Sequence, residues 1–283
     1  MTTLDAPAGD APAFEVPTSM SPSRVESFTS CPMAFRFANI ERVGDPPNVH
    51  TTRGSLVHRA LELGYLLAPE RRTPAGFTAA VDRAIAEYRS MPDFTLLGFG
   101  DDEAAGFFAA CHRLVANYLR MEDPQQIRPI GLELRLSAQV GDLSLRGIID
   151  RLELRDGGLV VTDYKTGRPP SSNWELRSLA GVHFYAFLCQ QVFGQLPVAV
   201  RLLYLSSGEI IEAVPSEQSA RFVVSRTAAV WRAVEKACTS GTFTPRPGAL
   251  CASCRYQRWC PAFGGDPDRA HLEAPVAFGL AAA

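Results

Sequence analysis

Residues 147–167, GIIDRLELRDGGLVVTDYKTG, hold two runs of alternating character on either side of Asp156-Gly157. That dipeptide favours the two-residue loop of a type I′ hairpin. With such a loop Arg155 faces Gly158, and continuing the pairing sets Asp150 directly opposite Asp163. Like charges so placed repel. Asp150 shares a face with Ile148, Leu152 and Leu154, whereas Arg151, Glu153 and Arg155 point the other way. A lone carboxylate on an apolar face is costly or takes up a proton. Asp163 and Lys165 share a face with Leu159 and Val161. Two acids and a lysine thus converge at one partly buried edge. Either a salt bridge or a slipped register relieves the repulsion, or a hard divalent cation sits among the carboxylates with Lys165 beside it.

Working outward, GLELRLSAQV (131–140) precedes the hairpin and turns into it at Gly141-Asp142, which makes a three-stranded meander. A helix follows over 173–193, then the strand pair VAVRLLYLSS and EIIEAVP, then a helix over 216–240. Upstream, SPSRVESFTSCPMAFRF (21–37) starts a helix, with Ser21 or Ser23 as cap and Pro22 in the first turn. RGSLVHRALELGYLL (53–67) repeats Val57, Leu61 and Tyr65 at helical spacing, with Ala60 and Gly64 in the same stripe. His58 lies at the border of that stripe. Helices over 76–90 and 102–121 carry no motif and read as packing elements. This order predicts an α/β domain with a central mixed sheet flanked by helices.

The chain has 283 residues, 46% hydrophobic and 20% charged, a globular composition with a formal net charge of −2. Residues 1–20 carry three acids and no base, and without them 28 basic residues stand against 27 acidic ones. If several acids bind metal, the remaining surface is mildly basic, which permits nucleic-acid binding without demanding it. No apolar run is long enough for a membrane helix, and Met1–Thr18 lacks the basic and apolar regions of a secretory signal, so a cytoplasmic protein without membrane contact is expected. Residues 1–20 read as a disordered tail and 264–283 as a flexible one. Cys111, Cys189 and Cys238 sit singly in helical stretches and read as small core residues. By contrast, CASCRYQRWC gives C-x2-C-x5-C at Cys251, Cys254 and Cys260, and Cys31 is the plausible fourth thiol.

The GIID and VTDYKTG segments resemble motifs II and III of the PD-(D/E)XK nuclease superfamily, in its RecB-like branch. RGSLVHRALE is similar to that branch's helical G-x-x-x-H motif. The resemblance spans residues 21–263 and implies a restriction-endonuclease-like core. It implies Mg2+ or Mn2+ held by His58, Asp150, Asp163 and the Tyr164 carbonyl, with Lys165 as the fourth catalytic group. Glu133 matches an acidic position of the branch, which implies that it contacts substrate as Tyr185 does, the alternative being a solvated strand acid. The branch usually shows Gln-x-x-x-Tyr after motif III; here Gly181 stands at the glutamine position, with His183 between it and Tyr185.

One cysteine before the core and three after it resemble the [4Fe–4S] staple of AddB-type and Cas4-type nucleases, with Cys31, Cys251, Cys254 and Cys260 as ligands. Zinc is the alternative. Arg255, Tyr256, Arg258 and Trp259 either pack around that group or contact single-stranded DNA. The implied activity is a metal-dependent deoxyribonuclease, an exonuclease on single-stranded or end-containing DNA in repair or recombination. The alternatives are a CRISPR spacer-processing nuclease and a silent DNA-binding module. No G-x-x-x-x-G-K-[ST] occurs, so any helicase would be a separate partner.

Overall fold

In the computed structural model, residues 13–169 and 175–280 are described; side-chain placement is described for these apart from 175–180 and 182. A six-stranded mixed sheet forms the centre. Its strands are β1 (Ser19–Met20), β2 (Pro129–Val140), β3 (Leu143–Arg155), β4 (Gly158–Lys165), β5 (Ala199–Tyr204) and β6 (Glu209–Ala213). The order is β1-β3-β4-β5-β6, with β2 also paired to β3. β3 and β4 are antiparallel, β4 and β5 parallel, and β5 and β6 antiparallel. The principal helices are α1 (Pro22–Ser30), α2 (Val49–Tyr65), α3 (Pro74–Tyr88), α4 (Asp101–Met121), α5 (Glu175–Phe193), α6 (Glu217–Ser240) and α7 (Ala270–Ala277).

The hairpin has the expected register, with Arg155 opposite Gly158 and Arg151 opposite Thr162. Asp156 and Gly157 have φ of +51° and +82°, the positive values a type I′ loop requires at both positions. Ser21 caps α1 by accepting the Arg24 N–H, and Pro22 follows it. α2 begins four residues before its expected start because the Asn48 side chain accepts the His50 and Thr51 N–H groups, each at 3.0 Å.

The described chain divides into two compact units. One comprises residues 46–140 and 145–225. Its core packs α2, α3 and α4 together with Tyr164, Leu203 and Leu205. α2 and α3 approach so closely at Gly64 that a Cβ there would run into the Phe77 ring.

The expected division of the hairpin into an apolar and a polar face does not hold. Ile148 and Leu154 are 42% and 52% exposed, while Arg151 is 0% and Glu153 3% exposed. The sheet is covered on the side that Arg151 faces, and the covering helices supply its partners. Arg151 Nη1 lies 2.9, 3.1 and 2.9 Å from the Tyr65, Tyr118 and Tyr164 hydroxyls and 2.8 Å from Glu122 Oε2. Nη2 reaches Glu122 Oε1 and Thr162 Oγ1, both at 3.1 Å. Arg201 forms a second ion pair with Glu122. α4, read from sequence as a packing element, thus delivers Tyr118 and the residue just past its end, Glu122.

The other unit comprises residues 13–45, 141–144 and 226–280. Residues 13–20 and 264–280, the described parts of the expected tails, are built into it. Phe14 packs edge-on against Phe243, Met20 is fully buried, and Ser144 N–H donates to Thr18 O. Residues 264–280, expected to be flexible, fold back through α7: Ala270 and Ala274 are buried, Phe278 packs on Trp259 and Tyr256, and Glu273 accepts the Trp259 indole N–H at 2.8 Å. Their small and apolar residues serve a local core, which composition alone does not reveal. Residues 1–12 of the N-terminal segment lie outside the described residues.

Removing one partner of a buried ion pair leaves an uncompensated charge, which costs about 3–5 kcal/mol. Glu122→Ala is therefore expected to lower the melting temperature strongly in thermal unfolding, whereas Glu217→Ala, in an exposed i,i+4 pair with Arg221, is expected to leave it nearly unchanged.

Candidate active site

The hairpin register extended by one step brings Asp150 opposite Asp163, and both are buried. They do not rest on each other unaided. Asp150 Oδ2 accepts the Tyr164 main-chain N–H at 2.7 Å, and Lys165 Nζ lies 2.6 Å from Asp163 Oδ2 in an ion pair. α2 supplies the third element. His58 Nε2 lies 2.9 Å from the Tyr164 carbonyl oxygen, and Nδ1 lies 3.5 Å from Asp150 Oδ2 and 3.7 Å from Glu133 Oε1. The Tyr164 peptide is thus gripped from both ends, by an aspartate at its N–H and a histidine at its C=O.

Glu133 gains a second candidate role from the structure. Expected to touch substrate, it lies in the one set among the described residues whose three ligand atoms fall within 4.8 Å of one another: His58, Glu133 and Asp150. Its backbone φ is +44°, uncommon for a non-glycine residue and rarer still inside a strand. Around it the strand's inside–outside alternation is interrupted, the effect of a kink that re-aims a side chain. Backbone strain of this kind costs about 1–3 kcal/mol and persists where surrounding structure enforces it. No propensity or period in the sequence marks this conformation.

The electrostatics follow from crowding acids in a dry place. Burial first, and the Asp150 carboxylate second, push Asp163 up to about 6, against the pull of Lys165. Burial opposes the His58 cation, but the Asp150 and Glu133 carboxylates beside it outweigh burial and raise its pKa to about 10. Burial likewise opposes the Lys165 ammonium, and Asp163 and Asp150 more than offset it, so its pKa stands above the ordinary value. The site is a cage of carboxylates neutralised by a proton on His58 and by the Lys165 ammonium. Glu133 Oε1 is buried without a hydrogen-bond partner. An orphaned carboxylate oxygen, two further carboxylates, an imidazole and the Tyr164 carbonyl are a donor set that fits a divalent cation.

Tyr185 comes from α5. Burial raises its phenol pKa, and the negative charges of Asp163, Asp150 and Glu133 raise it further. Its ring lies against Gly147, where a Cβ would meet Tyr185 Cε1 at 3.1 Å and Leu188 Cδ1 at 2.9 Å. The glycine of GIID is therefore a packing requirement of this helix. At Gly181 an added Cβ would meet nothing within 4 Å, so the space of the family's glutamine is open. A groove of about 720 Å3 adjoins the acids, walled by the Thr51–Glu62 side of α2 and by Glu133 and Arg135 of β2. Arg59 in its wall is already engaged by Glu62 and Glu87.

The four cysteines fall in the other unit. Burial raises the Cys254 thiol pKa, its own loop's Tyr256 N–H lowers it, and the neighbouring Cys31, Cys251 and Cys260 raise it. Cys31 terminates α1; Cys251 lies in the 3-10 turn Ala249–Ser253, Cys254 directly follows that turn, and Cys260 stands between the turns Gln257–Trp259 and Pro261–Phe263. Arg36 pairs with Glu41 at 2.7 Å and Asp268 at 2.6 Å, and the Tyr256 hydroxyl donates to Gly44 O. Arg255 pairs with Asp45, and Trp259 is buried. Cys111, Cys189 and Cys238 are fully buried core residues, as expected.

Comparison with known proteins agrees with this architecture. The chain is 24% identical over 270 residues to the Gene 69 protein of Mycobacterium phage D29, covering 86% of this chain and 96% of that protein. Its fold is similar to that of a candidate exonuclease of Eubacterium rectale, with a TM-score of 0.55 at 12% identity over 85% of this chain and 88% of the other. The family model of the PD-(D/E)XK nuclease superfamily matches residues 19–261, the span that contains β1 through the last cysteine, and the chain belongs to that superfamily.

Proposed function

We propose that the protein is a metal-dependent deoxyribonuclease of the RecB-like branch, acting on single-stranded or end-containing DNA in repair or recombination. The observation that carries this reading is the gathering of His58, Glu133, Asp150 and the Tyr164 peptide around one point, with Asp163 and Lys165 on the adjoining strand. His58, Asp150, Asp163 and the Tyr164 carbonyl would hold Mg2+ or Mn2+, with Glu133 as a further oxygen donor. When bound, such an ion lowers the pKa of water and neutralises charge on a phosphoryl group.

The chain's own residues account for the rest. Asp163 holds the Lys165 ammonium, whose side chain is 45% exposed and so can meet both the attacking water and a phosphate oxygen. Water adds to phosphorus, the bond to the 3′ oxygen breaks, and a 5′ phosphate and a 3′ hydroxyl remain. The groove beside α2 and β2 is the path for the strand. An exonuclease is favoured over an endonuclease by resemblance to the branch. For Cys31, Cys251, Cys254 and Cys260 a [4Fe–4S] cluster fits the donor set: four thiols from two distant parts of the chain that neighbour one another in one unit. It would act as a staple rather than take part in hydrolysis.

Three outcomes test these assignments. End-labelled single- and double-stranded DNA should be degraded with Mg2+ or Mn2+, and Asp163→Ala and Lys165→Ala should each lower kcat by about 100-fold or more. Equal rates in all three proteins would leave a silent DNA-binding module as the better reading. Ends blocked on one side would reveal exonuclease polarity, and cutting of circular DNA would favour an endonuclease.

The second outcome concerns protons. With raised pKa values, the metal-free folded site binds protons more tightly than the unfolded chain does. Stability from His58 is full below its ordinary pKa of 6.5 and is lost as pH rises through about 10. Asp163, raised from 3.8 to about 6, acts in the same sense at lower pH. Metal ligation needs the deprotonated set. Thermal melts should therefore show stabilisation by Mn2+ that grows from about pH 6 to about pH 9. A shift independent of pH would argue against His58 as a ligand.

The third concerns the cysteines. Anaerobically purified protein should be brown, with visible absorbance that Cys254→Ser removes. A colourless protein carrying one zinc would replace the iron–sulfur assignment.

A further inference from the structure

The reverse side of β3 and β4 bears on the same site. Tyr164 and Arg151 are each next to a site acid in sequence, and strand alternation sends their side chains to the opposite face. There the Tyr164 hydroxyl lies 2.9 Å from Arg151 Nη1, while the same residue's N–H binds Asp150 and its carbonyl faces His58. α2 meets the strands twice, at His58 and, two turns later, through the Tyr65 hydroxyl at 2.9 Å from Arg151. α4 is held by Tyr118 and, just past its end, Glu122. One guanidinium therefore ties together the strand that carries Asp150, the strand that carries the Tyr164 peptide and the helix that carries His58.

Stability alone does not account for this assembly. A buried ion pair contributes no more than a well-packed apolar replacement in many proteins, and Arg151 Nε is buried here without an acceptor. What a planar fork of donors adds is geometry, because it fixes several oxygen partners at once. We infer that Arg151, with Glu122 and the Tyr65, Tyr118 and Tyr164 hydroxyls, is a positioning device. It sets the separation of His58, Asp150 and the Tyr164 carbonyl, and thereby the affinity of the site for a divalent cation. The inference rests on the metal site proposed above.

The test is Mn2+ binding by the full chain, followed by calorimetry and electron paramagnetic resonance with the metal alone, beside the melting temperature of the metal-free protein. Tyr164→Phe deletes one hydroxyl and leaves the peptide in place. Arg151→Met with Glu122→Leu removes both charges together, and Glu212 and Arg155 still pair with Arg201 and Glu153. Both proteins should stay folded. Their Mn2+ affinity should fall, by about 10-fold for Tyr164→Phe and up to about 100-fold for the double variant, the range seen when outer partners of metal ligands are lost. Arg151→Lys keeps the charge but not the fork and should not restore binding. Should the double variant fail to fold, Tyr164→Phe and Tyr118→Phe carry the test. Folded variants that bind Mn2+ as tightly as the wild type, with an unchanged resonance signal, would overturn the inference, as would a wild-type protein that binds none. A wild type that binds Mn2+ but leaves DNA uncut would instead defeat only the nuclease assignment.

Discussion

Everything at this site depends on the antiparallel pairing of β3 and β4 that brings Asp150 opposite Asp163. Two carboxylates in a buried position repel, and the fold answers with several devices at once. A main-chain N–H holds Asp150, an ammonium holds Asp163, and His58 carries a proton well above its ordinary range. The metal-free site is thus poised to exchange protons for a cation. Its high pKa values come from the unrelieved negative charge of a crowded acid cluster, and the same charge would favour the divalent ion proposed for the site.

The same two strands carry a second buried polar assembly on their other face, around Arg151. The two are separated by no more than the thickness of the sheet and share Tyr164. Neither can move without the other, since a shift of the Tyr164 main chain would break its contact with Asp150 and displace its hydroxyl from Arg151. Helices α2 and α4 lock the arrangement from outside by donating side chains to the reverse face. This explains why the hairpin does not show an apolar face and a solvated one. Its middle is buried on both sides, and each side satisfies its charges differently.

The unit that holds the cysteines follows a different logic. Few long hydrophobic elements contribute to it, and short 3-10 turns alternate with glycine and proline. Aromatic packing of Phe37, Tyr256, Trp259 and Phe278, with the Arg36–Asp268 and Arg255–Asp45 ion pairs, joins residues 36–45, which follow α1, to the C-terminal turns. Four thiols in such a setting can cross-link segments more than 200 residues apart. A cross-link closing so long a loop removes much of the unfolded chain's freedom.

The hairpin register and the helix around His58 were legible in the sequence because each rests on local chemistry: turn dipeptides and side-chain period. Even the opposition of Asp150 and Asp163 needed only a count from Asp156-Gly157. Glu133 was legible as an acid but not as a neighbour of His58 and Asp150, because its aim depends on a positive φ that no neighbouring residue announces. Arg151 looked like a solvated strand residue, since its partners Tyr65, Tyr118 and Glu122 come from helices 29 to 86 residues away. The tail after Gly264 looked featureless because small residues such as Ala270 and Ala274 gain meaning only against a surface that buries them. The sequence by itself thus determined which strands pair and which acids meet. Only the tertiary structure decided which charges are buried and by whom they are neutralised, because burial is a property of what packs above a residue and not of the residue's own neighbours in the chain.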